Sequence, residues 1–245
     1  MTVTGARRIR TRDRVRTMLR AGTAPGQDLA DKDPEVGGDD DRPRTSGGSS
    51  TSSFISCPRP SRRRGSDTHE QAPLVKTRPR WITRTETPAD VPTVHDLHRA
   101  AFPTSEEAEL VDALRQDPAW IDGLSMVTTT AEGTVVGHVL LTRCHIDEVP
   151  ALCLAPCAVL PAHQRTGAGS AAIHAVLRAA RERGEAFVVV LGHAQYYPRF
   201  GFERASMHGI RLSIEVPDEA LMALSLDPDR ALPTGTVRYA EPFGI

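Results

Sequence analysis

The fold class predicted by the sequence is α/β, a mixed central sheet with helices on its faces. Three observations carry that expectation. Strand-like and helix-like periodicities alternate along residues 81–245. Residues 186–191 form a short apolar run of the kind found in a strand covered on both faces. The run that follows Gly167 and Gly169 and stops at Gly184 reads as a helix with one apolar side. That helix lies between the apolar strand at 151–159 and the strand at 186–191, and such a unit predicts a right-handed parallel crossover.

Composition divides the chain before any element is assigned. Residues 1–80 hold 17 Arg and Lys against 10 Asp and Glu, whereas residues 81–245 hold 13 against 21. The stretch DPEVGGDDDRPRTSGGSSTSSFISCPRPSRRRGSD is dense in Gly, Ser, Pro and charge and has almost nothing to bury. Burial there does not offset the entropy of ordering, so residues 1–78 are expected to be a disordered, basic, low-complexity extension and residues 79–245 the folded domain. Seven arginines between Arg7 and Arg20 leave contact with nucleic acid or an anionic surface as an alternative role for the extension, although no nucleic-acid partner is expected. Asp13 and the run Asp39, Asp40, Asp41 argue against an organelle-targeting segment. No apolar run approaches the roughly 18 residues of a membrane span, and no signal-peptide core is visible, so a cytoplasmic location without a membrane partner is expected.

The elements follow in order. WITRTE (81–86) alternates as a strand, and Thr87-Pro88 supplies a capping hydroxyl and a proline at the first helical position. Val91, Val94, Leu97, His98 and Ala101 trace the inner face of that helix, which Phe102-Pro103 ends. Thr104 and Glu107 have capping-box spacing before a second helix with Leu110, Val111 and Leu114 as its stripe. Residues 124–130 and 134–146 read as a hairpin turned at Ala131-Glu132-Gly133, and ALCLAPCAV (151–159) is a further strand. In the helix after it, Ile173, Val176, Leu177 and Ala180 share one face, Arg178, Arg181, Glu182 and Arg183 the other, and Gly184 is the stop. The last third is less periodic. Strands near 202–206 and 235–240 and a short helix near 217–223 are expected.

Cys153 and Cys157 stand four residues apart on one strand, about 13 Å at roughly 3.3 Å per residue, too far for a disulfide or a shared metal. Cys144-His145 matches no common zinc spacing, so buried free thiols and no metal are expected.

Glycines before a helix expose amides toward an anion, and three patterns use them. A P-loop needs a lysine, and residues 81–245 contain none. Gly167 to Ala172 satisfies the dinucleotide fingerprint G-x-G-x-x-A, but Pro161 to Arg165 separate it from its strand and the next strand ends in Leu191-Gly192-His193 without the acidic residue. The third pattern is complete: Val159-Leu160-Pro161, then Gln164-Arg165-Thr166-Gly167-Ala168-Gly169. Downstream, Tyr196-Tyr197-Pro198-Arg199-Phe200-Gly201-Phe202 places a tyrosine four residues before Gly-Phe. These two stretches resemble the signatures of the GNAT superfamily of acetyl-CoA-dependent N-acyltransferases, and LGHAQYYPRFGF is similar to its YhbS-like branch. The resemblance covers about residues 80–245. It implies a mixed, mostly antiparallel sheet whose parallel pair, the fourth and fifth strands (151–159 and 186–191), splays open.

The resemblance further implies that acetyl-CoA is the co-substrate. Backbone amides of Gln164, Arg165, Thr166, Gly167, Ala168, Gly169 and Ser170 would hold the pyrophosphate. The strand segment reaching Cys157, Ala158, Val159 and Leu160 would pair with the pantetheine arm. A backbone N–H at Val159 or its neighbour would steady the developing oxyanion. Tyr197 would be the general acid, with packing of the cleft wall as its other role and as the main role of Tyr196. The base stays open among Glu109, Glu107 and His193. The implied function is direct acetyl transfer to a primary amine in a ternary complex; a non-catalytic acyl-CoA-binding sensor and, from the weaker glycine match, an NAD-linked oxidoreductase are the alternatives. A small-molecule or peptide amine, with peptide N-termini and lysine side chains both open, is the expected acceptor, and the acidic balance of residues 81–245 mildly favours a cationic one. A homodimer is compatible with the sequence. Removal of residues 1–78 is expected to leave turnover unchanged; loss of activity in the shortened chain, measured by thiol release, would contradict that division.

Overall fold

The computed structural model describes residues 81–245, and the extension expected over 1–78 lies outside the described residues. Among the described residues the chain runs β1 (Ile82–Thr85), α1 (Val91–Ala101), α2 (Glu106–Leu114), β2 (Ser125–Thr129), β3 (Val135–Ile146), β4 (Val149–Val159), α3 (Ala168–Glu182), β5 (Phe187–Leu191), β6 (Glu203–Arg204), β7 (Ile210–Arg211), β8 (Leu221–Ser225) and β9 (Gly235–Arg238). The principal sheet has the order β1-β2-β3-β4-β5-β8-β6, and β9 pairs with β3 and with β7. Within that principal order β4/β5 is the parallel pair and its neighbours are antiparallel.

Helices cover both faces, as the alternation in β5 requires. Val188 and Val190 point to the side where Ile173, Val176 and Ala180 of α3 pack with Leu152 and Leu154. Phe187, Val189 and Leu191 point to the other side, where Leu110 and Leu114 of α2 meet Leu140, Cys153 and Phe243. Each such fully buried aliphatic or aromatic side chain contributes about 1.5–3 kcal/mol relative to exposure. The predicted apolar face of α3 is the buried one, and Gly184 follows it at φ 78°. Burial pushes the Cys144 thiol up to about 12 and the Cys153 thiol well above its usual range. No described helix is long and apolar enough to cross a membrane.

Two local starts depart from expectation. The turn Pro88–Asp90 is a 3₁₀ turn before α1, tied by Asp90, which accepts from the Thr87 N–H (2.8 Å) and hydroxyl (2.6 Å) and is gripped by Arg84 at 2.6 and 2.7 Å. At α2 the helix begins one residue late, with Ser105 as its N-cap; the Thr104 hydroxyl reaches the Glu107 carboxylate at 3.4 Å.

The final third corrects the sequence reading. Residues 217–223, expected as a helix, give a 3₁₀ turn at Asp218–Ala220 followed by strand β8. The Leu-Met-Ala content of β8 favours a helix locally, but all five residues pair with β5, from Phe187↔Ser225 to Leu191↔Leu221. Without them the buried outer edge of β5 would leave its amides unpaired, and that cost overrides propensity. The strand expected at 202–206 shrinks to Glu203–Arg204 because Ala205–His208 turns as a 3₁₀ helix.

A buried polar network pins α1 and α2 to the first strands. Glu86, just past β1, accepts from Arg115 at 2.6 and 3.1 Å and from the Ser125 hydroxyl, with His138 Nε2 at 3.3 Å. His138 Nδ1 lies 2.8 Å from His98 Nε2. With both rings neutral, His98 Nε2–H donates to His138 Nδ1 and His138 Nε2–H donates to Glu86, and His98 Nδ1 is left as a buried acceptor with no protein partner among the described residues. Burial opposes the Glu86 carboxylate, but hydrogen bonds from His138 and Ser125 and the charge of Arg115 outweigh it and hold the group at about 2. Burial also holds His138 below, and His98 well below, the ordinary value of 6.5.

Because the folded chain binds these protons more weakly than the unfolded one, stability is complete above about pH 6.5, declines below it as the histidines resist charging, and falls again below about 4.5 through Glu86. Urea titrations across pH 4–8 check this order. Glu86→Gln should cost about 1–3 kcal/mol at pH 7, since it removes the buried anion that Arg115 and Ser125 share, although Arg115 keeps Asp112 at 2.6 Å.

Candidate active site

The site grows from an interruption in the sheet. Strands β4 and β5 are in register at Leu152↔Val188 and Cys153↔Val189. Beyond Cys153, β4 runs on against β3 while β5 remains with β8 on its other side. Two features of the sequence impose the parting. Pro156 has no N–H to offer, and the β3 register jumps from Leu141↔Leu154 to Val139↔Cys157, so Ala155 and Pro156 bulge opposite Leu140. Leu160 donates its N–H to Val136 O at 2.9 Å. Backbone groups alternate sides along a strand, so those of Val159 and Cys157 face the gap. The Val159 carbonyl there accepts from the Gln164 side chain at 3.2 Å, and the Val159 N–H is directed to the same side.

The loop expected to hold an anion closes one end of this gap. After the 3₁₀ turn Pro161–His163, Arg165 adopts φ 60° and Gly167 φ 90°, the left-handed region in which glycine alone is unstrained. The first helical bond of α3 runs from Ala171 N–H to Gly167 O at 2.9 Å. Consequently the amides of Ala168, Gly169 and Ser170 have no acceptor within the helix, and the positive end of α3 adds to them. Ala168 turns its methyl into the core, and Arg165 is exposed beside the amides. At Gly169 a methyl would lie 3.2 Å from the Tyr196 hydroxyl and 3.3 Å from Val159 Cγ2, so strand, loop and tyrosine meet over that glycine.

The tyrosine pair is set by its own turn. Tyr196 and Tyr197 both donate their backbone N–H to His193 O, at 3.0 and 3.4 Å, and the 3₁₀ turn Tyr197–Phe200 follows. Tyr197 packs edge-on against Phe202 at 5.7 Å and Tyr196 at 5.2 Å, while Arg199 lies over Tyr196 at 4.8 Å. Its ring passes so close to Gly192 that a methyl there would stand 2.4 Å from Tyr197 Cε2. Burial pushes the Tyr197 hydroxyl well above its usual range, with Cys157, Tyr196 and Cys153 as further neighbours that oppose a phenolate. Burial likewise pushes Cys157, on the gap edge, up to about 12, so it is a thiol and no nucleophile at neutral pH.

The three candidate bases have different surroundings. Glu109 is exposed on α2 and accepts from Ser105 at 2.7 Å. Glu107 is buried at 4% exposure on the side of α2 that meets the core. His193 is partly buried two residues past β5, and its carbonyl receives both tyrosine amides. Among the described residues no group of three or more His, Cys, Asp or Glu is arranged to hold a metal ion.

Sequence reasoning missed Trp81 and Gly192. Trp81 carried only the signal of a strand start, yet its indole N–H donates to Thr166 O in the loop at 2.9 Å. Gly192 was visible only as a strand end.

Comparison with known proteins matches residues 91–202 to the model of the Acetyltransferase (GNAT) family. The chain is 36% identical over 162 residues to the uncharacterized N-acetyltransferase YjhQ of Escherichia coli K12, covering 63% of this chain and 89% of the relative. It is 33% identical over 165 residues to the uncharacterized N-acetyltransferase YhbS of the same strain, covering 66% and 98%. The crystal structure of E. coli YhbS in complex with CoA aligns with TM-score 0.64 at 32% identity, covering 68% of this chain and 93% of that one. A GNAT family acetyltransferase from Brucella melitensis in complex with acetyl-CoA aligns with TM-score 0.55 at 30% identity, covering 67% and 98%.

Gly192→Ala should expel the Tyr197 ring from its seat and cost about 1–3 kcal/mol through overpacking. Thermal unfolding reads the loss. Full stability in the Gly192→Ala variant would show that the ring and the glycine are not locked together.

Proposed function

Since the chain belongs to the GNAT family of acetyltransferases, we propose that residues 79–245 transfer the acetyl group of acetyl-CoA to a primary amine of a small molecule or peptide, by direct attack within one ternary complex. One observation carries the reading: the amides at the start of α3 open onto the same gap into which Val159 directs its N–H. A diphosphate suits the first feature, because Ala168, Gly169 and Ser170 offer donors at a positive helix end and Arg165 adds charge. An extended amide-bearing arm suits the second, since the edge of β4 from Cys157 to Leu160 can pair with it as with another strand. The bound CoA of YhbS and acetyl-CoA of the Brucella protein support both assignments.

The thioester supplies an activated acyl group when the co-substrate is bound. The Val159 N–H donates to the carbonyl oxygen as negative charge develops on it, an interaction that strengthens toward the transition state. Tyr197 gives its proton to the departing sulfur. Burial that keeps the phenol neutral also keeps it loaded as an acid, although a donor weaker than the thiol it protonates yields a modest gain. His193 takes the amine proton, directly or through water: its main chain is tied to both tyrosines at the mouth of the gap, whereas Glu109 is exposed and engaged by Ser105. Cys157, kept as a neutral thiol, favours direct attack over an acyl-cysteine route.

Thiol release from acetyl-CoA across a panel of amines, run on wild type and Tyr197→Phe, tests the reading. Tyr197→Phe should lower kcat about tenfold to a hundredfold with little change in the KM for acetyl-CoA. The wild-type rate should show no alkaline fall attributable to Tyr197 below about pH 10. Unchanged turnover in Tyr197→Phe removes the residue from the mechanism.

A further inference from the structure

We infer that Trp81 is a positioning residue for the diphosphate loop: its indole N–H holds the Thr166 carbonyl on one side, and so turns the Gly167 N–H toward the bound anion. The inference rests on the loop reading proposed above and extends it to a side chain 85 positions away in sequence.

The physical argument starts from Gly167. Its φ of 90° requires glycine, but glycine accepts either sense of φ at little cost. The plane of the peptide joining Thr166 to Gly167 is therefore not determined by the loop's own covalent structure. In a trans peptide the C=O and N–H point in opposite directions, so fixing one fixes the other. The Trp81 indole donates to Thr166 O at 2.9 Å from a partly buried position, where a hydrogen bond is better shielded from competing water. Reversal of this plane would present a carbonyl, not an amide, to the diphosphate, replacing attraction by repulsion.

The rest of the contact restricts the indole itself. Its ring meets His163 edge-on at 5.8 Å, in the 3₁₀ turn that precedes the loop, and Trp81 Nε1 stands 3.8 Å from where a Gly167 methyl would be. The neighbouring carbonyl of Ala168 is taken by the Thr128 hydroxyl at 3.3 Å. One carbonyl of the loop and one at the first residue of α3 are thus bonded to donors from the residue just before β1 and from β2. Trp81 has no place among groups that would touch the acyl carbon, the sulfur or the amine; it acts only through the loop.

The test uses the full chain. Trp81→Phe keeps an aromatic ring against His163 and removes the N–H. It should raise the KM for acetyl-CoA and the calorimetric Kd for CoA about fivefold, the loss of one neutral hydrogen bond, while kcat and the KM for the amine stay within about twofold. A second readout does not depend on that variant folding. In Trp120→Phe, Trp81 is the one remaining tryptophan, and its emission should shift as CoA is added. Equal losses in kcat and in both KM values, unchanged CoA affinity in Trp81→Phe, or Trp81 emission indifferent to CoA that calorimetry shows to be bound would each overturn the inference. If wild type takes up no CoA by calorimetry, the loop reading itself falls and this inference with it; if wild type binds and Trp81→Phe binds equally well, this inference alone falls.

Discussion

Beyond Cys153, β4 has a sheet neighbour on one edge only, and the other edge presents backbone groups that an interior strand would share with β5. Buried amides without partners are costly, so such an edge persists where something else can satisfy it. Here the gap-facing carbonyl of Val159 is met by Gln164, from the first turn of the glycine loop, while the adjacent N–H is aimed into the opening. The parting of two parallel strands therefore does more than make space. It supplies a row of donors and acceptors at the place where an extended ligand would lie, and it delivers the chain to the start of α3, where three further amides are available. Pro156 and the bulge opposite Leu140 are the local causes, and the remainder of the site is arranged around their effect.

Glycines at the site act through what they allow to approach. Gly192 admits the Tyr197 ring, Gly169 admits the Tyr196 hydroxyl and the side of Val159, and Gly167 permits the left-handed turn into α3. In the first two cases the absence of a side chain lets an aromatic residue lie against backbone, and a methyl would force one partner to move. The tyrosines, for their part, are held by backbone bonds to His193 and by edge-on contacts with one another and with Phe202. Position and protonation are thereby linked: the packing that orients Tyr197 also surrounds its hydroxyl and keeps it neutral.

On the face that carries α1 and α2, order comes from polar groups that cannot leave. Glu86, Arg115, Ser125, His138 and His98 come from β1's end, α2's end, β2, β3 and α1, and their hydrogen bonds tie five segments at one buried point. Any slip of α1 along the sheet would leave a buried donor or acceptor unmet, which costs more than the loss of an apolar contact of similar size. The network thus fixes the register of α1 and α2 against strands whose far ends form the gap.

Much of this was legible in residues alone. The apolar period of α3, the continuous run of β5 and the stop at Gly184 are local signals, and each element formed where its pattern lay. The Gln164 to Gly169 stretch and the Tyr197-to-Gly201 spacing were legible for the same reason: a left-handed turn and a short 3₁₀ turn are chemistry of neighbouring residues. What sequence could not specify was decided by partners from elsewhere in the chain. Leu221 to Ser225 became a strand because β5 needed an edge partner; Glu86 became a buried anion because Arg115, 29 positions on, reached it; and Trp81 became part of the loop through one bond to Thr166. Periodicity and turn chemistry are set within a few residues and so belong to the sequence. Pairing, burial and the parting of β4 from β5 depend on which distant groups must satisfy one another, and only the assembled fold brings those groups together.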